Sequence, residues 1–83
     1  MNILLLEDDA ILCEIIEEFL VENGLHVKKF YDGQKALEAI FSNKYDLLLL
    51  DINVPTMNGF ELLEALREAN IDTPTIFISS LDQ

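Results

Sequence analysis

The sequence has little positive charge. Only five of its 83 residues are Lys or Arg, against 16 Asp and Glu, which leaves a formal net charge of −11 at pH 7. Nucleic-acid binding requires many cationic side chains to neutralise phosphates, so we expect no direct binding of nucleic acid by this chain. The excess of acids would serve solubility, or it would favour a bound cation or a basic partner surface.

Cysteine and histidine are nearly absent. The single cysteine, Cys13, has no partner for an internal disulfide, and the single histidine, His26, lies far from it in the sequence. A soft-metal site built on Cys and His ligands is therefore excluded. The sequence also lacks a Gly-rich loop followed by Lys-Ser or Lys-Thr, which excludes a P-loop nucleotide site.

Long apolar runs are missing as well. Apolar residues make up 51% of the chain, but none of their runs approaches the length that a membrane-spanning helix needs. Acids stand near the amino terminus, where a secretory signal peptide would carry basic residues. We therefore expect a single, core-rich domain in the cytoplasm that does not bind membranes.

Short apolar runs alternate along the chain with stretches of helical periodicity. We predict strands at residues 3–6, 26–30, 47–51 and 75–78, with three helices between them. Asp9 is a candidate amino-terminal cap of the first helix. The side chains expected to point inward from the second helix are Ala36, Leu37, Ile40 and Phe41. A β-α-β-α-β-α-β order with short connections predicts a parallel sheet with right-handed crossovers.

Polar side chains follow three of the predicted strands. Glu7, Asp8 and Asp9 come after the first strand, Asp51 closes the third, and Ser79 follows the fourth. If these three strands are neighbours, the side chains share one rim at the carboxyl ends, where ligands of α/β sheets usually bind. Asp51 alone could equally start a loop, and Asp9 suits a helix cap better than a metal contact.

Carboxylates gathered on one rim repel one another, and a shared hard cation or a raised carboxyl pKa is the simplest way to relieve this repulsion. Mg²⁺ fits best, because it prefers oxygen ligands and is usually held by one or two carboxylates beside a phosphate oxygen. A carboxylate beside such an ion can attack a phosphoryl group, while a nearby hydroxyl donates a hydrogen bond to one of its oxygens. The rim therefore predicts phosphoryl chemistry that depends on Mg²⁺.

Three stretches of the sequence, residues 4–9, 46–62 and 74–80, share the motifs, order and spacing of one known family. They resemble the response-regulator receiver domain, the phosphoacceptor module of two-component signalling. The resemblance implies an α/β, flavodoxin-like parallel sheet with strand order 2-1-3-4. It also implies that a histidine kinase or a histidine phosphotransfer protein donates the phosphoryl group, and that the chain is not an enzyme with its own separate substrate.

The resemblance also assigns roles to the residues of the rim. Asp51 would be the phosphorylated aspartate and a ligand of Mg²⁺. Asp8 would bind the ion directly, Glu7 would bind it through a water, and the backbone carbonyl of Asn53 would supply a further contact. Ser79 would turn its hydroxyl toward the phosphoryl group after modification.

The family's domain continues with a fourth helix, a fifth strand that ends in a lysine, and a fifth helix, and the sequence contains none of these. We therefore expect residues 1–83 to form a receiver domain that is incomplete at its carboxyl terminus. The fourth strand would then be an open sheet edge, and one face of the first and third strands would lack cover. A homo-oligomer formed through either surface, or else marginal stability, is expected.

Two other functions stay open. A receiver-like binding or assembly module would keep this architecture without switching, which the absent lysine favours and the intact set of acids disfavours. A small phosphatase with an aspartyl nucleophile, similar to the haloacid dehalogenase family, would need an acid two residues after Asp51, where this chain has Asn53. The phosphatase hypothesis is therefore the weaker of the two.

Overall fold

The computed structural model describes residues 1–78, in which strands and helices alternate. The strands are β1 (Asn2–Leu6), β2 (His26–Phe30), β3 (Leu47–Asp51) and β4 (Thr75–Ile78). The helices are α1 (Ala10–Glu22), α2 (Gly33–Ser42) and α3 (Gly59–Glu68). The predicted order of elements is confirmed, and only the first strand begins one residue earlier than predicted.

The four strands form one parallel sheet in the order β2-β1-β3-β4. β1 therefore lies between β2 and β3, with Leu6 level with Phe30 on one side and with Leu50 on the other. The α/β, flavodoxin-like fold with strand order 2-1-3-4 is confirmed. This order matters for function because it makes β1 and β3 neighbours, and their carboxyl ends carry the candidate acids.

The main core lies between the sheet and the two helices α2 and α3. It combines alternate leucines of β1 and β3 with apolar side chains of these helices: Leu4, Leu6, Leu48, Leu50, Ala36, Leu37, Ile40, Leu62 and Leu66. On the opposite face of β1, Ile3 and Leu5 are covered by α1, whose Cys13 is fully buried. Both faces of β1 are thus covered, which explains why its sequence is apolar without alternation.

Each helix begins next to a side chain that caps its free amide groups. Asp9 Oδ1 accepts hydrogen bonds from two amides of the first turn of α1, both at 3.1 Å, and its predicted role as a cap is confirmed. Asp32 caps α2 in the same way, and Asn58 forms a capping box with Glu61 at the start of α3. The caps define where the loops at the carboxyl rim of the sheet end.

Helix α2 does not bury Phe41, so the prediction that this side chain points inward is wrong. Phe41 is 55% exposed, whereas Ala36, Leu37 and Ile40 belong to the core. Successive residues of an α-helix are about 100° apart around its axis, so Phe41 lies on the flank when Ile40 faces the sheet.

The uncovered face of the sheet lies on β3 and β4. Residues 3–6 of β1 are at most 1% exposed, because α1 packs across β1 and β2. On the face that α1 covers only in part, Leu47 and Leu49 of β3 are half-buried and Ile76 of β4 is 55% exposed. The prediction of an uncovered first strand is therefore wrong, whereas the third and fourth strands do expose apolar side chains.

Helix α1 presents a second apolar surface. Ile11, Ile15 and Phe19 are each more than half exposed and recur every four residues, so they form one stripe along the helix. Like the other helices of residues 1–78, α1 lacks the length and apolar character that a membrane span requires.

Candidate functional site

The pairing of β1 with β3 brings three acids together at the carboxyl end of the sheet. Leu6 and Leu50 are level in this pairing, so Glu7 and Asp51 are the next residues along two adjacent strands. With Asp8 they form an acidic cluster, in which one carboxylate oxygen of each residue lies within 4.8 Å of the others. The structure thus brings together three of the residues that the sequence places on one rim.

The acidic cluster is buried on one side and open on the other. Glu7 is 4% exposed and Asp51 is 7% exposed, whereas Asp8 is exposed to solvent. Within residues 1–78 the only ion pair joins Lys29 to Glu17, so no Lys or Arg side chain forms an ion pair with the cluster. The uncompensated negative charge favours binding of a cation from solvent.

Backbone amides position both buried carboxylates. The Asp9 amide donates to Glu7 Oε2 at 3.1 Å, and the Asn53 amide donates to Asp51 Oδ1 at 3.2 Å. The amide of Glu7 itself donates to the carbonyl of Phe30 at 3.0 Å, which ties the end of β1 to the end of β2. The two carboxylates are therefore held in place by the fold itself.

Burial, together with the crowding of acids, makes Glu7 harder to ionise than an ordinary glutamate. Burial raises the pKa of Glu7 from 4.5 to about 7. The Asp9 amide opposes this rise, while a hydrogen bond with Asp51 and the charges of Asp51 and Asp8 add to it. The neutral form of Glu7 is therefore favoured to a higher pH than that of an ordinary glutamate. A divalent cation would relieve the same repulsion as a proton on Glu7.

The chemistry of the cluster fits Mg²⁺. All the available ligand atoms are carboxylate oxygens, which this hard cation prefers, and they lie close enough to share one ion that also keeps several waters. No other group of three or more His, Cys, Asp or Glu residues in the described part of the chain has this arrangement. Cys13 is buried on the inner side of α1 and does not belong to the acidic cluster.

The loop after β3 carries Asn53 and folds tightly against Asp51. The hydrogen bond from the Asn53 amide to Asp51 Oδ1 keeps the Asn53 peptide next to the carboxylate. The Gly59 amide donates to the Ile52 carbonyl at 2.9 Å, and a Cβ on Gly59 would lie only 2.6 Å from the Asp51 carbonyl oxygen. Glycine therefore allows α3 to start this close to the end of β3.

Two other candidate residues are not part of the cluster. Asp9 caps α1 and is absent from the group of carboxylates that could share one ion. Ser79, predicted to contact the phosphoryl group, lies outside the residues that the structure describes.

Sequence reasoning missed one contact of the loop after β3, between Thr56 and Asp32. The Thr56 hydroxyl donates to Asp32 Oδ1 at 2.9 Å, although the two residues are 24 positions apart. Neither residue belongs to a ligand motif, and the contact depends on how α2 packs beside α3. No local pattern in the sequence signals it.

Comparisons with known proteins match almost the whole chain to one family. The model of the response regulator receiver domain family matches residues 3–83. The transcriptional regulatory protein DltR of Streptococcus agalactiae is 39% identical over 83 residues, and CrdR of Helicobacter pylori is 42% identical over 81 residues. These matches cover 100% and 96% of this chain but 37% and 38% of the relatives. The chain thus spans little more than a third of the length of the curated relatives it matches.

Solved structures share the fold. The receiver domain of the Francisella response regulator 1452 has a TM-score of 0.93 and 36% identity, and the match covers 99% of this chain and 68% of that one. TrrA from Thermotoga maritima, solved in complex with Mg²⁺-BeF, has a TM-score of 0.88 and 32% identity. That match covers 94% of this chain and 68% of TrrA.

Proposed function

Because the chain belongs to the response-regulator receiver family, we propose that it accepts a phosphoryl group on Asp51 in a reaction that depends on Mg²⁺. Receiver domains are signalling modules, so the chain would act in two-component signalling and not as an enzyme with a separate substrate. One observation carries the proposal: the carboxylates of Glu7, Asp8 and Asp51 lie within 4.8 Å of one another at the carboxyl rim of the sheet.

The residues of the rim would hold Mg²⁺ in distinct ways. Asp8 and Asp51 would bind it through their carboxylates, Asn53 through its backbone carbonyl, and Glu7 through a water. When bound, the ion would neutralise the oxygens of the transferring phosphoryl group. The complex of TrrA with Mg²⁺-BeF supports the extension of this chemistry to the present chain.

The donor would be a phosphohistidine of a histidine kinase or a histidine phosphotransfer protein. A carboxylate oxygen of Asp51 attacks the phosphorus, and an O–P bond forms as the P–N bond to the imidazole breaks. The leaving nitrogen keeps the electron pair and takes up a proton. Ser79 would then donate a hydrogen bond from its hydroxyl to an oxygen of the acyl phosphate on Asp51.

The role of Asp51 can be tested with a small phosphodonor. The chain is incubated with Mg²⁺ and acetyl phosphate, and its intact mass is measured before and after. We expect the mass of one phosphoryl group to be added to the wild type and to Asp72→Asn, a control in an exposed acid outside the cluster. Asp51→Asn should show no addition, and unchanged labelling of this variant would refute the assignment.

Residues 1–83 would form part of a receiver domain. Matches that cover 68% of two solved receiver chains support the view that residues 1–83 correspond to about two thirds of a receiver domain. The curated relatives are transcriptional regulators, but with a net charge of −11 these residues would not themselves contact nucleic acid. We place the chain in the cytoplasm, where its phosphodonors would act.

A receiver-like assembly module without switching is the second candidate. The apolar surface on β3 and β4 favours it, because Ile76 is 55% exposed on the outer strand of the described sheet. We infer that copies of the chain associate through this surface or the β4 edge, which sedimentation can measure. A Mg²⁺ titration separates the two functions, since a pure assembly module should show no saturable binding at the rim.

A further inference from the structure

The loop between β3 and α3 is fastened to the start of α2 by Thr56. Its hydroxyl donates a hydrogen bond to Asp32 Oδ1 at 2.9 Å, and the same Oγ1 accepts one from the Gln34 amide at 3.0 Å. A single hydroxyl thus forms hydrogen bonds with both the cap residue of α2 and an amide in the first turn of α2. We refer to Thr56, Asp32 and Gln34 as the clamp.

Thr56 makes these bonds from an unfavourable backbone conformation. Its φ is 68°, in the left-handed region that glycine and asparagine adopt readily and that a β-branched residue adopts rarely. Backbone geometry therefore does not explain a threonine at this position. The threonine hydroxyl explains this choice of residue, because it makes both hydrogen bonds with the start of α2.

The backbone beside the clamp is closely packed. The Gly33 amide donates to the Pro55 carbonyl at 3.1 Å, and a Cβ on Gly33 would lie 1.8 Å from the Met57 carbonyl oxygen. No side chain larger than a hydrogen atom fits between the start of α2 and the loop. A shift of the loop would therefore also require a shift of α2.

The other end of the same loop belongs to the acidic cluster. The Asn53 amide donates to Asp51 Oδ1, and Asn53 precedes Thr56 by three residues. The loop is thus held at Asp51 on one side and at Asp32 on the other. The Lys35 amide, followed by the Thr56 hydroxyl, lowers the pKa of Asp32, which keeps this acceptor ionised.

We propose that Thr56 is a positioning residue for the phosphoacceptor site, and that through the clamp it keeps the Asn53 peptide beside Asp51, where the Asn53 carbonyl would bind Mg²⁺. This inference rests on the proposed function and adds a residue that touches neither the ion nor the phosphoryl group. Residues that orient metal ligands from outside typically change metal affinity by about tenfold or more when they are removed. Loss of the clamp should therefore weaken Mg²⁺ binding while the protein stays folded.

The test compares Thr56→Gly with Thr56→Ser in the full chain. Glycine removes the hydroxyl but adopts the left-handed conformation readily, so the protein should stay folded. Its affinity for Mg²⁺, measured by titration calorimetry, should fall about tenfold, and its labelling by acetyl phosphate should slow at subsaturating Mg²⁺. Serine keeps the hydroxyl and should restore both quantities to values near the wild type, which a general loss of stability would not explain.

Asn70 provides a matched control. It is the other non-glycine residue in the described part of the chain with a left-handed φ, 61°, and it follows α3 at the opposite end of the sheet. Asn70→Gly makes the same kind of backbone change and should leave Mg²⁺ affinity and labelling unchanged. Asp32→Ser is a second way to break the clamp, because serine still caps α2 but its shorter side chain withdraws the acceptor from Thr56. It should weaken Mg²⁺ binding as Thr56→Gly does.

Two results would overturn the role of the clamp: Mg²⁺ affinity like that of the wild type in Thr56→Gly and Asp32→Ser, or an equal loss of affinity in Asn70→Gly. A different result separates the proposed function from this inference. If the wild-type chain itself neither binds Mg²⁺ nor is labelled on Asp51, the proposed function fails, and the inference fails with it.

Discussion

At the scale of single residues, Glu7 shows the effect of burial most clearly, with the neighbouring negative charges adding to it. It is buried beside Asp51, and its pKa rises to about 7. A proton on Glu7 and a divalent cation in the acidic cluster relieve the same repulsion, so they would compete. Binding of the cation should therefore be tighter above pH 7 than below it.

Without divalent cations, we expect the protein to lose stability as the pH rises from about 5 to about 8. The folded pKa of Glu7 lies above its ordinary value of 4.5, so its neutral form stabilises the fold. This contribution is complete below pH 4.5 and is lost as the pH passes about 7, with a total change of about 3 kcal/mol in the free energy of unfolding.

Urea denaturation at several pH values in the presence of a chelator measures this change. Glu7→Gln removes the titrating group with little change of shape and should flatten the dependence on pH over the same window. A wild-type stability that increases with pH between these values would contradict the assignment to Glu7.

At the scale of elements, α3 connects the core to the functional rim. Its first turn is fixed by the capping box of Asn58 and Glu61, which ends the loop that carries Asn53. Its inner face places Leu62 and Leu66, both fully buried, against the sheet. A change in the packing of α3 should therefore affect both stability and the position of the loop.

Truncation of a core side chain of α3 should be strongly destabilising. We expect Leu62→Ala to lower the free energy of unfolding by about 2–5 kcal/mol, because it leaves a cavity beneath the sheet. Leu63→Ala removes the same atoms from a half-buried position one residue further on and should lower it by much less. Chemical denaturation of both variants checks this, and equal losses would show that the inner face is wrongly assigned.

The elements could be predicted because their signals are local. Residues 47–50 are leucines without alternation, and they form the strand that such a run predicts. Helices α2 and α3 cover Leu48 and Leu50 on the core side, whereas Leu47 and Leu49 on the other face are only half-buried. Asp9 is recognisable as a cap from its position alone. Spacing alone does not set the limits of the buried stripe of α2, so it predicts an inward Phe41, whereas this side chain lies on the flank of the helix and is 55% exposed.

The candidate site could be predicted in part for a similar reason. Glu7 and Asp51 each follow a strand, and the parallel order of the sheet brings such residues to one edge. The clamp could not be predicted, because Thr56 and Asp32 meet only through the packing of two helices. The role of Ser79 stays a prediction.

At the scale of the whole molecule, the two faces of the sheet are covered unequally. Within residues 1–78, helices α2 and α3 enclose the core on one face, while α1 packs against β1 and β2 on the other. This leaves Ile76 of β4 exposed next to the half-buried Leu49 of β3. An apolar surface of this kind favours association with another protein surface.

Self-association through this surface should respond to a single charge. We expect Ile76→Lys to shift the chain toward smaller species in sedimentation velocity, because a lysine cannot be buried there without a partner for its charge. Phe41→Lys introduces the same charge at a side chain with the same 55% exposure, on a different element, and should have little effect. A wild-type chain that sediments as a stable monomer would rule out the association itself.

The pairing of β1 with β3 also has a consequence for folding. The acids that would share an ion come from two chain segments that are distant in sequence. They meet only when β1 and β3 have paired. The unfolded chain does not hold the three carboxylates close together. Added magnesium should therefore bind the native state preferentially and increase the free energy of unfolding. The thermal stability of the chain would then depend on the supply of the ion, and its melting temperature would rise with the concentration of free magnesium.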